Sequence, residues 1–145
     1  MKITSPAFSD NTYMPAKFTC EGEDINPEFF VSGIPEGAKS LAFIMDDPDA
    51  PIGVWVHWVV FDMPVVARIA ENSVPGRLGI TNSGKRSYHG PCPPSGTHRY
   101  FFKVYALDSM LNLKEGISKG QLEKAMQGHI LDEAELTGLY KRSAQ

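Results

Sequence analysis

The pattern of apolar and polar positions along the chain predicts a protein built mainly from strands. Three apolar runs stand out, at residues 40–47, 54–64 and 98–107, and each is rich in aromatic or β-branched side chains. Glycine or proline lies close to the ends of these runs, as is typical of strands. The first run is apolar at almost every position before Pro48 ends it, which favours a strand that is covered on both faces.

Strict alternation of side chains along the three runs places an ionisable group on a definable face of each strand. Along the first run, Asp47 comes last on the side that carries the large apolar residues. Along the second, His57 falls on the side opposite Trp58, and along the third, His98 and Tyr100 are the first inward residues. Buried polar groups need partners, so we expect these groups to meet each other or to share a polar cavity. A neutral core histidine bonded to a carbonyl is the alternative for His57.

A stiff loop leads directly into the third run. The segment Gly90–Gly96 contains three prolines, which fix φ and remove backbone donors. Rigid loops on rigid strands are where proteins place binding groups, although a plain tight turn before a core strand would look similar. We expect residues 86–96 to be ordered without a ligand, because proline restricts the freedom of the free chain.

The C-terminal third is predicted to contain one short helix and one strand. Ser118 and Gln121 have capping-box spacing, which predicts a helix over 121–127 that ends at Gly128. The segment 130–142 fits either a helical or an alternating period, and we predict a strand there.

Composition narrows the class of protein. The chain has 145 residues, enough for one domain with a sizeable core, and a formal net charge of −3, which argues against nucleic-acid binding. No apolar run approaches the roughly 20 residues that a membrane helix needs. The N-terminus shows no signal-like segment, so we expect a cytoplasmic protein. In a reducing cytosol, Cys20 and Cys92 should both be free thiols.

Three sequence blocks resemble the signature of the phosphatidylethanolamine-binding protein family. They are DPDAP at 47–51, WVHWVVFD at 55–62 and GPCPPSGTHRYFFKVYAL at 90–107, in this order. The segments FTCEGEDINP and GHILDEAELTGLYKR are similar to its bacterial and archaeal, Raf-kinase-inhibitor-like branch. The resemblance spans nearly the whole chain and implies a single domain over residues 1–145.

The resemblance also implies a fold and a site. The expected fold is mostly β, with two packed sheets and a few short peripheral helices, and the expected site is a small anion pocket at one end. The positions that match the family's ligand-binding residues are Asp47, Asp49, Trp55, His57, Gly90, Pro91, Pro93, His98 and Tyr100.

The residue types fit such a pocket. Two imidazoles and a tyrosine hydroxyl can donate to anionic oxygens, while Asp47 would repel an anion and is expected instead to orient His57 or His98. Since a carboxylate partner raises a histidine pKa, we expect anion binding to depend on both imidazoles and to weaken as the pH rises through the histidine range.

We therefore predict a non-enzymatic binding protein with a preformed pocket for phosphate, phosphoryl head groups or similar anions, without cofactor or metal. A role as an inhibitor that contacts a kinase or serine protease through the pocket loop is the alternative. Two hypotheses are less favoured: a small hydrolase that uses Ser87, Ser95 or Cys92, and a metal site formed by His57, His98 and Asp47. We expect no nucleic-acid partner and no membrane span, and we leave a homodimer open.

Overall fold

A computed structural model of the chain describes residues 1–143 and consists mainly of strands. Within these residues the strands are β1 (Lys2–Thr4), β2 (Thr12–Tyr13), β3 (Phe29–Ser32), β4 (Ser40–Asp47), β5 (Trp55–Met63), β6 (Arg68–Ile69), β7 (Arg77–Leu78), β8 (His98–Leu107) and β9 (Ile130–Tyr140). A 3-10 turn covers Ala16–Phe18, and α1 covers Lys119–Met126. The three apolar runs become β4, β5 and β8, and the C-terminal segment is the predicted strand.

The strands form two sheets. One has three strands in the order β1-β3-β6, and the other has six in the order β2-β9-β8-β4-β5-β7. All pairs are antiparallel except the short β2, which runs parallel to β9. The predicted fold class, mostly β with two sheets and little helix, is confirmed.

The core lies on both sides of the large sheet, with β4 fully buried at its centre. Between the sheets, the rings of Phe29 and Phe43 lie 5.2 Å apart within one apolar cluster. On the opposite face, Ile44 packs in a second cluster with Leu122 and Met126 of α1. Each such buried side chain stabilises the fold by about 1.5–3 kcal/mol. The prediction that the first run is covered on both faces is therefore confirmed.

The helix α1 begins with the predicted capping box. Ser118 Oγ accepts from the backbone N–H of Gln121 at 3.1 Å, and the Gln121 side-chain oxygen accepts from the N–H of Ser118 at 2.9 Å. Two otherwise unpaired donors of the first turn are thereby satisfied. Gly128 follows the helix at a φ of 81°, which glycine adopts without strain. Among the described residues, no helix is long and apolar enough to cross a membrane.

A β-bulge in β5 changes which side chains share a face. Met45 pairs with Trp58 and Asp46 pairs with Val56, so one step along β4 matches two steps along β5. His57 is the additional residue. The predicted separation of faces in this run is therefore wrong across His57, because strict alternation cannot account for an inserted residue.

Cys20 and Cys92 form a disulfide, with Cα atoms 5.5 Å apart. The prediction of two free thiols is wrong. It rested on the expected compartment, whereas the fold brings the two segments into contact: the N–H of Cys20 donates to the carbonyl of Pro91 at 3.1 Å. The bridge joins the turn after the 3-10 segment to the proline-rich loop.

Candidate functional site

A cavity of about 340 Å³ lies where the ends of β4, β5 and β8 meet the proline-rich loop. Its lining combines a few polar groups with a larger apolar wall, as is usual for small-ligand sites. The lining residues are Asp47, Ala50, Pro51, Ile52, Trp55, His57, His89, Cys92, Pro93, Pro94, His98 and Tyr100. Six of the nine predicted site residues are among them; Asp49, Gly90 and Pro91 are not.

Asp47 and His98 form a buried pair at one wall of the cavity. Asp47 Oδ2 lies 2.6 Å from Nδ1 of His98, and Oδ1 accepts from the backbone N–H of Asp49 at 2.7 Å. Of the two histidines expected as partners for Asp47, His98 is thus the one it contacts. Because a carboxylate only accepts, Nδ1 of His98 carries the proton and Nε2 remains available to a ligand.

His57 has a different partner. Its Nδ1 lies 2.5 Å from the carbonyl oxygen of His89, and the two rings stack with centroids 5.8 Å apart. Burial lowers the pKa of His57 to about 4, despite the opposing effects of the His89 carbonyl and Asp47. The expectation of a raised pKa is therefore wrong for His57. Its ring is neutral at pH 7 and bonded to a carbonyl, as the alternative interpretation held, yet it also lines the cavity.

Tyr100 supplies an unused hydroxyl. The residue is fully buried, and its Oη makes no hydrogen bond of normal geometry in the described part of the chain, although the Asp47 carboxylate and the Cys92 backbone lie near enough to affect its pKa. Burial, together with the charge of Asp47, raises its pKa far above 10, so the hydroxyl stays protonated. Its ring meets that of His57 edge-on at 5.3 Å and stacks near that of His98 at 6.4 Å. A buried donor without a partner is a place where a ligand oxygen would fit.

Asp49 holds the cavity wall from outside. Its carboxylate accepts from the Arg99 guanidinium at 2.8 and 2.9 Å and from the Arg99 backbone N–H at 2.9 Å. Hydrogen bonds from the Arg99 side chain are the main reason why the pKa of Asp49 falls to about 2. The bond from the Asp49 N–H to Asp47 ties this corner to the buried pair.

Gly90 and Pro91 also anchor the loop. The N–H of Gly90 donates to Asp24 Oδ1 at 2.8 Å, and the carbonyl of Pro91 accepts from Cys20. A Cβ at Gly90 would lie 2.3 Å from the carbonyl oxygen of Phe18, so only glycine fits there. These contacts position the loop that carries Cys92 and Pro93.

Sequence reasoning missed half of the lining. His89 stood at the start of the proline-rich stretch but was not assigned a role, because its contribution is a backbone carbonyl and a ring stacked on His57. The three residues at 50–52 directly follow the DPD corner and could have been found from that adjacency. Ile52 lines the cavity while remaining 87% exposed. Within residues 1–143, no three His, Cys, Asp or Glu side chains are grouped so as to hold a metal ion.

The fold and the pocket define a known class of protein. The family model described as phosphatidylethanolamine-binding protein matches residues 4–141. Because that match covers nearly the whole chain, the protein belongs to the phosphatidylethanolamine-binding protein family.

Individual relatives agree with this assignment. A UPF0098 protein of Methanothermobacter thermautotrophicus is 50% identical over 98% of this chain and 99% of its own. The crystal structure of a phosphatidylethanolamine-binding protein homologue, CT736 of Chlamydia trachomatis, superposes with a TM-score of 0.95 at 42% identity, covering 98% of this chain and 97% of that one. YbcL of E. coli, described as a member of the mammalian family, gives a TM-score of 0.90 at 27% identity over 98% of both chains.

Proposed function

We propose that the protein binds phosphate, phosphoryl head groups or similar small anions in this cavity and does not turn them over. The observation that carries the proposal is the buried, unpartnered hydroxyl of Tyr100 beside two imidazoles. Leaving such a group unsatisfied costs about 1–3 kcal/mol, which a ligand oxygen would recover.

The pocket is held in shape before any ligand arrives. The Cys20–Cys92 bridge fixes the proline-rich loop on one side, and the Asp49–Arg99 pair fixes the opposite corner. A site that needs no ordering on binding loses less free energy when its ligand enters. This rigidity supports a preformed binding site.

The lining also supports binding without turnover. The cavity walls formed by the described residues include no serine or threonine, and the sulfur of Cys92 is bonded to Cys20. The histidine–carboxylate pair of His98 and Asp47 resembles the orienting half of a hydrolytic triad, but no serine, threonine or free thiol stands next to it in the lining formed by the described residues.

Calorimetric titration with inorganic phosphate tests the proposal. We expect Tyr100→Phe to weaken phosphate binding by roughly 10- to 150-fold, since a hydrogen bond to a charged group contributes about 1.5–3 kcal/mol. The free variant should melt no lower than wild type, because the substitution removes an unsatisfied hydroxyl.

The matched control is Tyr105→Phe on the same strand, since Tyr105 lies outside the cavity lining. It should bind phosphate like wild type. Normal binding by Tyr100→Phe would show that the anion site lies elsewhere, and absence of phosphate binding by wild type would refute the proposal.

A second candidate function is inhibition of a kinase or serine protease by direct contact through the pocket rim. The observation that favours it is the exposure of two apolar side chains: Ile52, which lines the cavity, is 87% exposed, and Val54, which precedes Trp55 of the lining, is 51% exposed. Exposed apolar groups beside a cleft are typical of protein-contact surfaces. A complex that survives excess phosphate but is lost in Ile52→Asp would support this function.

A further inference from the structure

The hydrogen-bonding groups in the cavity do not all suit a bare anion. His57 has its Nδ1 proton fixed, because the His89 carbonyl at 2.5 Å can only accept. In a neutral imidazole the other nitrogen, Nε2, is then a lone-pair acceptor. It has no hydrogen-bond partner within residues 1–143, so it is free to bind a donor from a ligand.

The surroundings of His57 keep its ring neutral. The facing ionisable groups are Asp47 on β4, His98 and Tyr100 on β8, and His89 on the adjoining loop, with Asp24 farther off. Burial is the largest influence and lowers the pKa to about 4. The His89 carbonyl and the two carboxylates favour a charged ring, and the His89 side chain disfavours it. Nε2 of His57 is therefore an acceptor throughout the neutral range.

A second acceptor lies close by. Asp47 is a buried carboxylate whose oxygens already accept from His98 and from Asp49, and its negative charge opposes any anion in the cavity. The donors that offset it are the hydroxyl of Tyr100 and, when that ring carries a second proton, Nε2 of His98.

An oxyanion without a proton can only accept hydrogen bonds. In this cavity it could accept a hydrogen bond from Tyr100, but its oxygen lone pairs would repel the lone pair on Nε2 of His57. An oxyanion with one P–OH group can donate to Nε2 of His57 while another of its oxygens accepts from Tyr100. Its smaller charge also reduces repulsion by Asp47.

We propose that the pocket selects oxyanions that carry a dissociable proton, such as the monoanion of phosphate or of a phosphate monoester, over oxyanions without one. The inference rests on the proposed anion-binding function and names the form of ligand that the site recognises. Nε2 of His57 is the acceptor that distinguishes the two kinds of oxyanion, because it accepts a hydrogen bond from the P–OH group.

Titration calorimetry with three ligands at two pH values tests this selection. Methyl phosphate has a second pKa near about 6, so it is mostly the proton-bearing monoanion at pH 5.5 and almost wholly the dianion at pH 8. Dimethyl phosphate is a monoanion without a proton at both pH values, and sulfate is a dianion without one. The readout is the ratio of affinities, because any effect of pH on the pocket itself acts on all three ligands.

We expect methyl phosphate to bind at least tenfold more tightly than dimethyl phosphate or sulfate at pH 5.5. Its affinity relative to dimethyl phosphate should fall by roughly 50- to 100-fold at pH 8, following the loss of the monoanion. In His57→Ala the preference for methyl phosphate over dimethyl phosphate, which carries the same charge at pH 5.5, should nearly vanish. His129→Ala is the control, since His129 pairs with Asp108 outside the cavity and should leave the preference unchanged.

Nitrogen chemical shifts of the His57 ring give a readout that needs no variant. Nε2 should show the signature of an unprotonated nitrogen in the free protein and of a hydrogen-bonded acceptor with methyl phosphate. If sulfate or dimethyl phosphate binds as tightly as methyl phosphate at pH 5.5, or if Nε2 is protonated in the free protein, the selection is overturned while anion binding stands. If none of the three ligands binds, the proposed function itself fails.

Discussion

Removing the Cys20–Cys92 bridge should cause a large loss of folding stability. The bridge joins residues 72 positions apart in the sequence, so without it the unfolded chain regains the freedom of a long loop. The chain-entropy relation for a closed loop of this length gives a loss of about 4 kcal/mol at 25 °C. For a chain of 145 residues, with an unfolding entropy of about 2.1 cal/mol/K per residue, that corresponds to a fall in Tm of roughly 13 °C.

The assay is urea and thermal unfolding of the double variant Cys20→Ser/Cys92→Ser beside wild type. Two serines replace the bridge with groups of similar size and leave no thiol to form other pairs. Wild type should lose about the same stability in strong reductant, since both treatments release the same loop. Reductant should leave the double variant unchanged, which controls for unrelated effects of the reagent.

The reasoning is refuted if the double variant loses less than about 1 kcal/mol, a result that would require an unfolded state already compact around these residues. Phosphate binding offers a second comparison. Cys92 lines the cavity, but the Gly90–Asp24 bond and the prolines still hold the loop in the variant. We therefore expect the free energy of phosphate binding, measured below the melting temperature, to fall by less than the free energy of unfolding does.

The remaining predictions concern acid stability, the hydrogen bonds accepted by Asp62, and loop order. The pKa of His57 is about 4 in the folded protein and near about 6.5 in the unfolded chain, so the unfolded chain takes up a proton first as the pH falls. Between about pH 6.5 and 4, wild type should therefore lose up to about 3 kcal/mol of folding stability that His57→Gln does not lose. Urea unfolding at several pH values measures this, and an equal dependence of stability on pH in the two proteins would contradict it. Asp62 accepts the N–H groups of Leu111 and Asn112 at 2.7 and 2.9 Å, so Asp62→Ala should cost about 2–3 kcal/mol in urea unfolding; a loss under 0.5 kcal/mol would show that water replaces it. Residues 86–96 should give backbone order parameters well above about 0.6 by NMR relaxation without ligand, and lower values would refute a preformed loop.

The sequence predicts the strands well because their signal is local. Apolar runs bounded by glycine and proline fix the extent of β4, β5 and β8 to within a residue or two. The capping box locates α1, although the predicted start at residue 121 lies two residues after the observed one. The meeting of Asp47 with His98 could be expected as one of two pairings, because both groups end inward-facing runs. Choosing between the two histidines requires the register of neighbouring strands, which alternation alone does not contain.

What the sequence could not predict depends on backbone geometry or on contacts between distant segments. The partner of His57 is a carbonyl, and every residue offers one, so no residue type marks it. The Cys20–Cys92 bridge depends on how the N-terminal turn folds against the loop, which no spacing rule describes. Asp49, Gly90 and Pro91 belong to the same motifs as the lining residues, yet they face away from the cavity and fix its walls.

Because of the bulge in β5, the pocket depends on the number of residues in this strand as well as on which side chains they carry. His57, the inserted residue, makes two hydrogen bonds with His89 of the loop. Its carbonyl accepts from the His89 N–H at 3.0 Å, and its Nδ1 donates to the His89 carbonyl. Deleting one residue between Trp55 and Trp58 would remove this bulge, so the sheet would persist while this link and the acceptor of His57 were lost. A relative with every pocket side chain present in its sequence but one residue fewer in this strand would keep the fold and lack the site.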